Sequence, residues 1–450
     1  MTKLKGFIPV AIIRSMNSVA LVVLDTLRYD RFCEAFDWLP GRRYSRAYST
    51  SHWTVPAHAS LITGRYPQEV SVTPNSLGIS GQLTLPIRAE REGYRSVHVS
   101  TNPQTIYHNG WQDGYQKVVT PWELVYGSEQ MFDWQAFMRE DPSTGSWKYM
   151  KAFYKCVSND CKTLKSVKKG YDIAFGTGLK PTVDDSGAER VLSVMRDGIT
   201  ADADFAYLNL MEAHTPYRSI EESEPKRLTV NIGNAFADNV TNPNEFRQAY
   251  DNSVAYLSGM YKEIFSELSQ QFDYVITISD HGELLGEHGY WNHGYGIFPE
   301  LVHIPIVVSG LGTEDRTVES VVSLFDVHQT IADFLDLETE SRGQNLLESP
   351  DSNPVLTSFQ GFLPHHKRQF NNHGISDLYD AYNHPLYGIA DEDGYGYQIP
   401  GNFKTKGTTE MNEQRLIDLL SEVDFKDTTD VTEQELSDAL LSQLEDLGYA

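Results

Sequence analysis

Three short runs of β-branched and apolar residues, SVALVVL (Ser18–Leu24), DFAYLNL (Asp204–Leu210) and YVITIS (Tyr274–Ser279), each stop abruptly at polar groups. A strand with no polar alternation must be covered on both faces, which a parallel sheet between two helix layers provides. The first run ends directly in Asp25, the third directly in Asp280, and the second runs into MEAHTPY. Polar groups are therefore delivered to the carboxyl ends of buried strands, where open α/β sheets bind their ligands.

Helical periodicity fills the gaps between these runs: Ala57 to Thr63, Leu83 to Glu92, Gly187 to Arg196 and a long stretch from Asn244 to Gln270. GYRSVHVSTN repeats the strand-then-polar-loop pattern and HIPIVVSG supplies another strand. The alternation predicts an α/β fold with a doubly wound, mostly parallel sheet flanked by helices. Residues 122–182 are irregular, rich in Lys and aromatics, and are expected to be an insertion covering the edge of the site. LFDVHQTIADFLDL reads as a helix packed on the sheet, and from Glu338 the composition shifts to Gly, Asn, Pro and Asp. This predicts a catalytic domain over residues 1–341. A smaller C-terminal α+β subdomain is expected over 342–450, with strands in VLTSFQGF and LYGIADEDGYGYQI and a last helix in ELSDALLSQLEDLGY.

A net charge of -25 over 450 residues argues against nucleic acid and against anionic membrane surfaces as partners. Acidic residues spread along the whole chain suit solubility in salt, so a halophilic or salt-tolerant setting is expected. No stretch reaches the roughly twenty apolar residues of a membrane span. The start, MTKLKGFIPVAIIRSMNS, has only a brief apolar run without a small-residue cleavage site, so a cytoplasmic protein is expected. Cys33, Cys156 and Cys161 are too few for a disulfide framework, and free thiols are expected, although the last two could close a small loop in an oxidising compartment. Nothing in the sequence speaks to oligomeric state.

Asp25, Asp280 and His281 offer two carboxylates and an imidazole at strand ends. This mixed oxygen and nitrogen set suits Mn²⁺ or Zn²⁺ better than Ca²⁺ or Mg²⁺. TVPAHASLITG, from Thr54 to Gly64, places a hydroxyl two residues before Pro56, a residue suited to the first helical position. An oxyanion there would meet a nucleophile and a positive helix end together. One divalent ion touching Thr54 as a fourth ligand would lower the pKa of its hydroxyl and bring an alkoxide within reach near neutral pH.

LVVLDTLRYD, TVPAHASLITG, LMEAHTPY, SDHGELLGEHGYWNHG and SLFDVHQTIADFL resemble, in that order, the successive motifs of the sulfatase family within the alkaline phosphatase superfamily. The resemblance spans roughly Ser18 to Leu337. It implies an alkaline-phosphatase-like fold, metal binding by Asp25, Asp280 and His281, and Thr54 at the nucleophile position. It further implies that His214 and His293 contact the substrate or protonate the leaving group, as a histidine with an ordinary pKa near 6.5 can. His52 and His303 are expected to pack or cap, and His288 to serve as a structural hydrogen bonder.

Departures from the family pattern carry as much weight. Sulfatases proper have Cys or Ser where Thr54 stands, oxidised to formylglycine; oxidising the secondary alcohol of threonine would give a ketone, so no formylglycine is expected. His58 replaces the usual arginine four residues on, and Thr101 and Asn102 replace a lysine and a histidine that grip sulfate. His58 and Asn102 are accordingly expected at the substrate, without charge. Asp25 is followed by Thr26 where the family pairs two acidic ligands, and His293 stands for a common lysine.

These features predict a metal-dependent hydrolase cleaving a phosphate mono- or diester, or a phosphonate ester, through Thr54. A phosphothreonine can be released by water at phosphorus without the formylglycine device. The alternatives are a sulfatase acting on sulfated glycans without formylglycine, a phosphoglycerol- or phosphoethanolamine-type transferase, and a catalytically silent glycan-binding homologue. The expected partner is a small-molecule or glycan ester.

Overall fold

The computed structural model describes residues 17–126, 132, 146–158, 163, 166–167, 187–218, 227–236, 240–408 and 410–425. Among them a nine-stranded sheet is built from β1 (Val19–Leu24), β2 (Arg42–Tyr48), β3 (Ser96–Ser100), β4 (Lys117–Val119) and β5 (Phe205–Leu210) in its first half. The short β6 (Tyr217–Arg218) and β7 (Arg227–Leu228) pair with each other. β8 (Tyr274–Ile278) returns to the large sheet, and β9 (Leu284–Leu285) pairs with β10 (Trp291–Asn292) outside it. β11 (His303–Ile304), β12 (Ile306–Gly310) and β13 (Arg316–Ser323) complete the large sheet.

β1 lies at the centre, parallel to β5 on one side and to β8 on the other. β3 and β4 extend the parallel array beyond β5, while β12 is antiparallel to β8. β11 and β12 both run antiparallel to β2, with β13 parallel on the far side of β2. Pro305, which cannot donate to a ladder, separates β11 from β12 in what is otherwise one strand. The sheet is therefore mostly parallel, as the unbroken apolar runs require.

The runs lack alternation because both faces of the sheet are covered. Val19, Leu21 and Val23 point into a core shared with helices Thr54–Thr63 and Leu324–Phe334. Ala20, Val22 and Leu24 point into a second core shared with helix Pro243–Gln271. That long helix presents Tyr250, Val254, Leu257, Tyr261, Ile264 and Leu268 at alternating steps of four and three, one continuous apolar stripe. Each such side chain stabilises the fold by about 1.5–3 kcal/mol when fully buried.

The small sheet expected near the C-terminus is a four-stranded antiparallel one: β14 (Val355–Phe359), β15 (Leu386–Asp391), β16 (Gly394–Ile399) and β17 (Asn402–Gly407). It is fastened to the large unit by Ser358 N–H donating to the Thr50 carbonyl at 3.0 Å and by Tyr395 Oη donating to the Ile297 carbonyl at 2.7 Å. Helix Glu413–Leu420 follows, capped by the Asn412 side chain, which accepts from the amides of Gln414 and Arg415. The helix expected in ELSDALLSQLEDLGY, the residues before 17 and Cys161 lie outside the described residues. Of the irregular stretch 122–182, helix Ser146–Ser158 is described. Among the described residues no helix is long and apolar enough to cross a membrane.

The segment TVPAHASLITG is helical from Thr54, two residues earlier than the position of Pro56 suggested, and all ten helical residues are buried. Pro56 is third in the helix, within the first turn, where a missing N–H leaves no bond broken. Gly64 ends it at φ 72°, and a Cβ there would come within 2.9 Å of His328 and Ser341. Gly64→Ala should therefore lower stability by about 1–2 kcal/mol, the cost of a side chain in the left-handed region. Urea denaturation checks this: the midpoint should fall with an unchanged slope, and an unmoved midpoint would show that the helix end does not need glycine.

Candidate active site

The pairing of β1 with β8 brings Asp25 and Asp280, the residues just beyond these strands, to adjacent strand ends. Both are fully buried, together with His281 and Thr54. Ligand atoms of Asp25, Asp280 and His281 all lie within 4.8 Å of one another. His281 Nε2 is 4.0 Å from Asp25 Oδ1, 3.4 Å from Asp280 Oδ2 and 3.3 Å from Thr54 Oγ1. The four residues expected to form one centre are thus brought together.

Each of these groups is held from behind. His281 Nδ1–H donates to the Gly282 carbonyl at 2.9 Å, which leaves the Nε2 lone pair facing the carboxylates. Asp280 Oδ1 accepts from the Thr26 and His281 amides at 3.3 and 3.0 Å. Thr26 holds φ 57°, a costly conformation for a β-branched residue, and its hydroxyl turns to the Asp25 carbonyl at 2.7 Å instead of entering the site. Asp25 Oδ2 accepts from Asn102 Nδ2 at 2.7 Å and Asn209 Nδ2 at 3.3 Å. Asp25 Oδ1, buried, has no hydrogen-bond partner among the described residues.

Burial and the neighbouring Asp280 push the Asp25 carboxyl well above its usual range. Burial works against Asp280 too, but His281 and the hydrogen bond from His58 hold its pKa below the usual range. Burial lowers His281 to about 4, so the ring is neutral and able to ligate. Two buried carboxylates, a neutral imidazole nitrogen and one orphaned carboxylate oxygen make a donor set that fits a divalent cation.

His58 and Asn102, expected at the substrate, are bonded to the two buried carboxylates. The His58 Nε2–H is 3.2 Å from Asp280 Oδ2, and its Nδ1 accepts from the Tyr207 hydroxyl. Asn102 gives its amide to Asp25 and accepts the Gln104 amide at 2.8 Å through Oδ1. Both side chains are fully buried.

His214 and His293 lie together on the other side, ring centroids 5.0 Å apart, with His293 4.7 Å from His281. Burial lowers them to about 3 and about 4, well under the ordinary value expected for a histidine acid. The nearby carrier of a proton is Glu283, raised by burial to about 7. Its Oε1 is 3.1 Å from His293 Nδ1 and its Oε2 accepts from Tyr217 Oη at 2.6 Å.

Glu283, Tyr207 and Asn209 were not singled out by sequence reasoning. Glu283 sits inside the SDHGE motif, and Tyr207 and Asn209 are polar residues at alternate positions of an otherwise apolar strand, a signal that the strand has one functional face. His288 bonds Glu300 at 3.0 Å, and His303 donates to the Ser45 carbonyl at 2.8 Å.

The sulfatase family model matches residues 34–337, and the chain belongs to that family. The uncharacterized sulfatase YidJ of Escherichia coli K12 is 28% identical over 140 residues, 26% of this chain and 28% of that protein. The low-salt glycan biosynthesis sulfotransferase Agl7 of Haloferax volcanii is 30% identical over 126 residues, 26% of this chain and 29% of that protein. The chain thus matches under a third of the length of these two relatives. In fold it is similar to the phosphonate monoester hydrolase of Agrobacterium radiobacter, with a TM-score of 0.57 and 17% identity, covering 90% of this chain and 93% of that one. A 2-O GAG sulfatase gives 0.54 at 13% identity, covering 90% of each chain. An alkaline phosphatase superfamily protein of Vibrio parahaemolyticus gives 0.50 at 12% identity, covering 96% of this chain and 85% of that one. Residues 34–337 are thus a sulfatase-family region, and the fold around them is the one these solved structures share.

The raised pKa of Glu283 has a consequence for stability. Between pH 4.5 and about 7 the folded protein keeps a proton that the unfolded chain releases. This group's contribution is complete below pH 4.5 and is lost as pH rises through about 7. Subtracting the stability curve of Glu283→Gln from that of the wild type should leave a decline across that window, at most about 1.4 kcal/mol per pH unit. A flat difference in denaturant titrations would show that Glu283 titrates normally.

Proposed function

We propose that this protein is a metal-dependent hydrolase of phosphate mono- or diesters, or of phosphonate esters, with Thr54 as nucleophile. The observation that carries the reading is the placement of the Thr54 hydroxyl 3.3 Å from His281 Nε2, beside a buried carboxylate pair with an orphaned oxygen. One divalent ion on Asp25, Asp280, His281 and Thr54, best Mn²⁺ or Zn²⁺ for this donor set, would supply the charge that ionises the hydroxyl and neutralises phosphoryl oxygens.

Thr54 Oγ1 forms a bond to phosphorus as the bond from phosphorus to the alcohol oxygen breaks. His293, coupled to the proton on Glu283, protonates that oxygen, with His214 beside it. Water then gives its proton back through His293 to Glu283 and attacks phosphorus, Thr54 leaves as the alkoxide it began as, and phosphate or its monoester is released. His58 and Asn102 act on the reaction by fixing Asp280 and Asp25, and the first turn of the helix from Thr54 favours the anionic group.

Family membership supports a second reading, cleavage of a sulfuric ester on a glycan with release of threonine sulfate by attack at sulfur. The sulfotransferase named among the relatives supports a third, transfer of the group to another acceptor. The net charge of -25 supports a salt-rich setting.

Purified protein should hydrolyse p-nitrophenyl phosphate or bis(p-nitrophenyl) phosphate faster than p-nitrophenyl sulfate, and lose activity in EDTA until Mn²⁺ or Zn²⁺ is restored. Thr54→Ala should lower kcat on the order of 10³-fold while Thr54→Ser stays active. Full activity in Thr54→Ala contradicts the mechanism, and a preference for the sulfate ester selects the second reading.

A further inference from the structure

Two buried imidazoles face the same carboxylate oxygen. His281 Nε2 stands 3.4 Å from Asp280 Oδ2 and His58 Nε2 stands 3.2 Å from it, and both rings are fully buried. A neutral imidazole carries one proton, so each Nε2 is either a lone pair that can bind a cation or an N–H that can bond the carboxylate. What each Nδ1 meets decides between the two. His281 Nδ1 lies 2.9 Å from the Gly282 carbonyl, which can only accept, and this keeps the proton on Nδ1 and the lone pair on Nε2.

His58 Nδ1 meets the Tyr207 hydroxyl instead. Tyr207 sits on β5 with Leu21 of β1 on one side and His98 of β3 on the other. Its ring is held between two others, stacked on His98 at 10° with centroids 4.6 Å apart and lying 5.8 Å from the centroid of His58. Burial holds the phenol well above its usual pKa, so it has a proton to give. Among the described residues that hydroxyl has no partner besides His58. With the imidazole proton on Nδ1, Tyr207 would bury an O–H without an acceptor and His58 Nε2 would turn a lone pair on Asp280 Oδ2. With the proton on Nε2, both bonds are made.

We infer that Tyr207 is a positioning residue of the cation centre: by donating to His58 Nδ1 it locks the His58 proton on Nε2, so that His58 serves Asp280 as a donor and is excluded as a metal ligand. The two imidazoles on Oδ2 thereby take opposite parts, His281 offering its lone pair to the ion and His58 its N–H to the carboxylate. Removing the hydroxyl leaves Nδ1 bare and frees the ring to move its proton, and Asp280 Oδ2 then loses the one donor it has among the described residues. The consequence for ion binding rests on the metal-dependent reading proposed above, whereas the lock on the ring does not.

Tyr207→Phe keeps the stacked ring and removes only the hydroxyl, and circular dichroism checks that it folds. Calorimetric titration of Mn²⁺ into chelator-treated protein should show binding about tenfold weaker in Tyr207→Phe, the usual cost of losing a group that orients a ligand from behind. His58→Ala should weaken binding at least as much, and the double variant should bind no worse than His58→Ala, since no ring is left to orient. A hydroxyl that only packs would add its cost in full to the double variant. Nitrogen NMR of the metal-free wild type, labelled in histidine, reads the lock directly: the ring whose signals vanish in His58→Ala, or in His58→Gln if the alanine variant does not fold, should carry its proton on Nε2. If the wild type binds neither Mn²⁺ nor Zn²⁺, the hydrolase reading falls, and the lock stands or falls by that signal. Equal Mn²⁺ affinity in Tyr207→Phe and the wild type, additive losses in the double variant, or a His58 proton on Nδ1 would overturn the inference.

Discussion

Two carboxylates placed side by side with no solvent access form the constraint on which the site depends. Burying like charges at adjacent strand ends is costly, and a protein meets that cost by protonation or by a cation. Here the surroundings are arranged for the charged state of Asp280, which receives two backbone amides and an imidazole N–H. Asp25 receives two carboxamide donors on one oxygen and leaves the other bare. Hydrogen bonds to a charged acceptor contribute about 1.5–3 kcal/mol each, so this shell is a substantial part of what holds the centre. The strained Thr26 belongs to it, since the turn there presents the Thr26 amide to Asp280.

The replacement of an arginine by His58 takes on meaning in this setting. Where a guanidinium would reach toward a sulfate, the shorter imidazole stays beneath the carboxylates, bonded to Asp280 and to Tyr207. Tyr207 in turn stacks on His98, ring centroids 4.6 Å apart. A polar column thus runs from β3 through β5 to the Asp280 carboxylate. The substrate side correspondingly loses a fixed positive charge, which supports an ester whose charge is met by a cation and a helix end in place of a cluster of basic side chains.

Much of the fold was legible because buried strands leave an unmistakable pattern. SVALVVL, FAYLNL and YVITI are β1, β5 and β8, and their order of pairing explains why their ends share a site. β2, RRYSRAY, is the opposite case: its charged side chains hid a strand near the sheet edge, where Arg42 and Arg43 spend their guanidinium groups on backbone carbonyls. The candidate ligands were legible from their positions after strands. The direction that His58 and Asn102 face was not, since a spacing along the chain does not say which side of a ligand a residue approaches. Nor could the sequence show that burial would take His214 and His293 far below the ordinary histidine pKa and raise Glu283 to about 7, because desolvation is a property of the assembled site.

The central claim is that the buried Asp25, Asp280 and His281 cluster exists to hold one divalent cation against the Thr54 hydroxyl. Anomalous diffraction at the manganese and zinc edges, on crystals of protein purified without chelators, tests it most directly. The account predicts a single peak among these four side chains, from manganese or zinc, within coordination distance of Asp25 Oδ1. A wild-type structure with no peak there after soaking in either ion, or with the ion bound elsewhere, would contradict it.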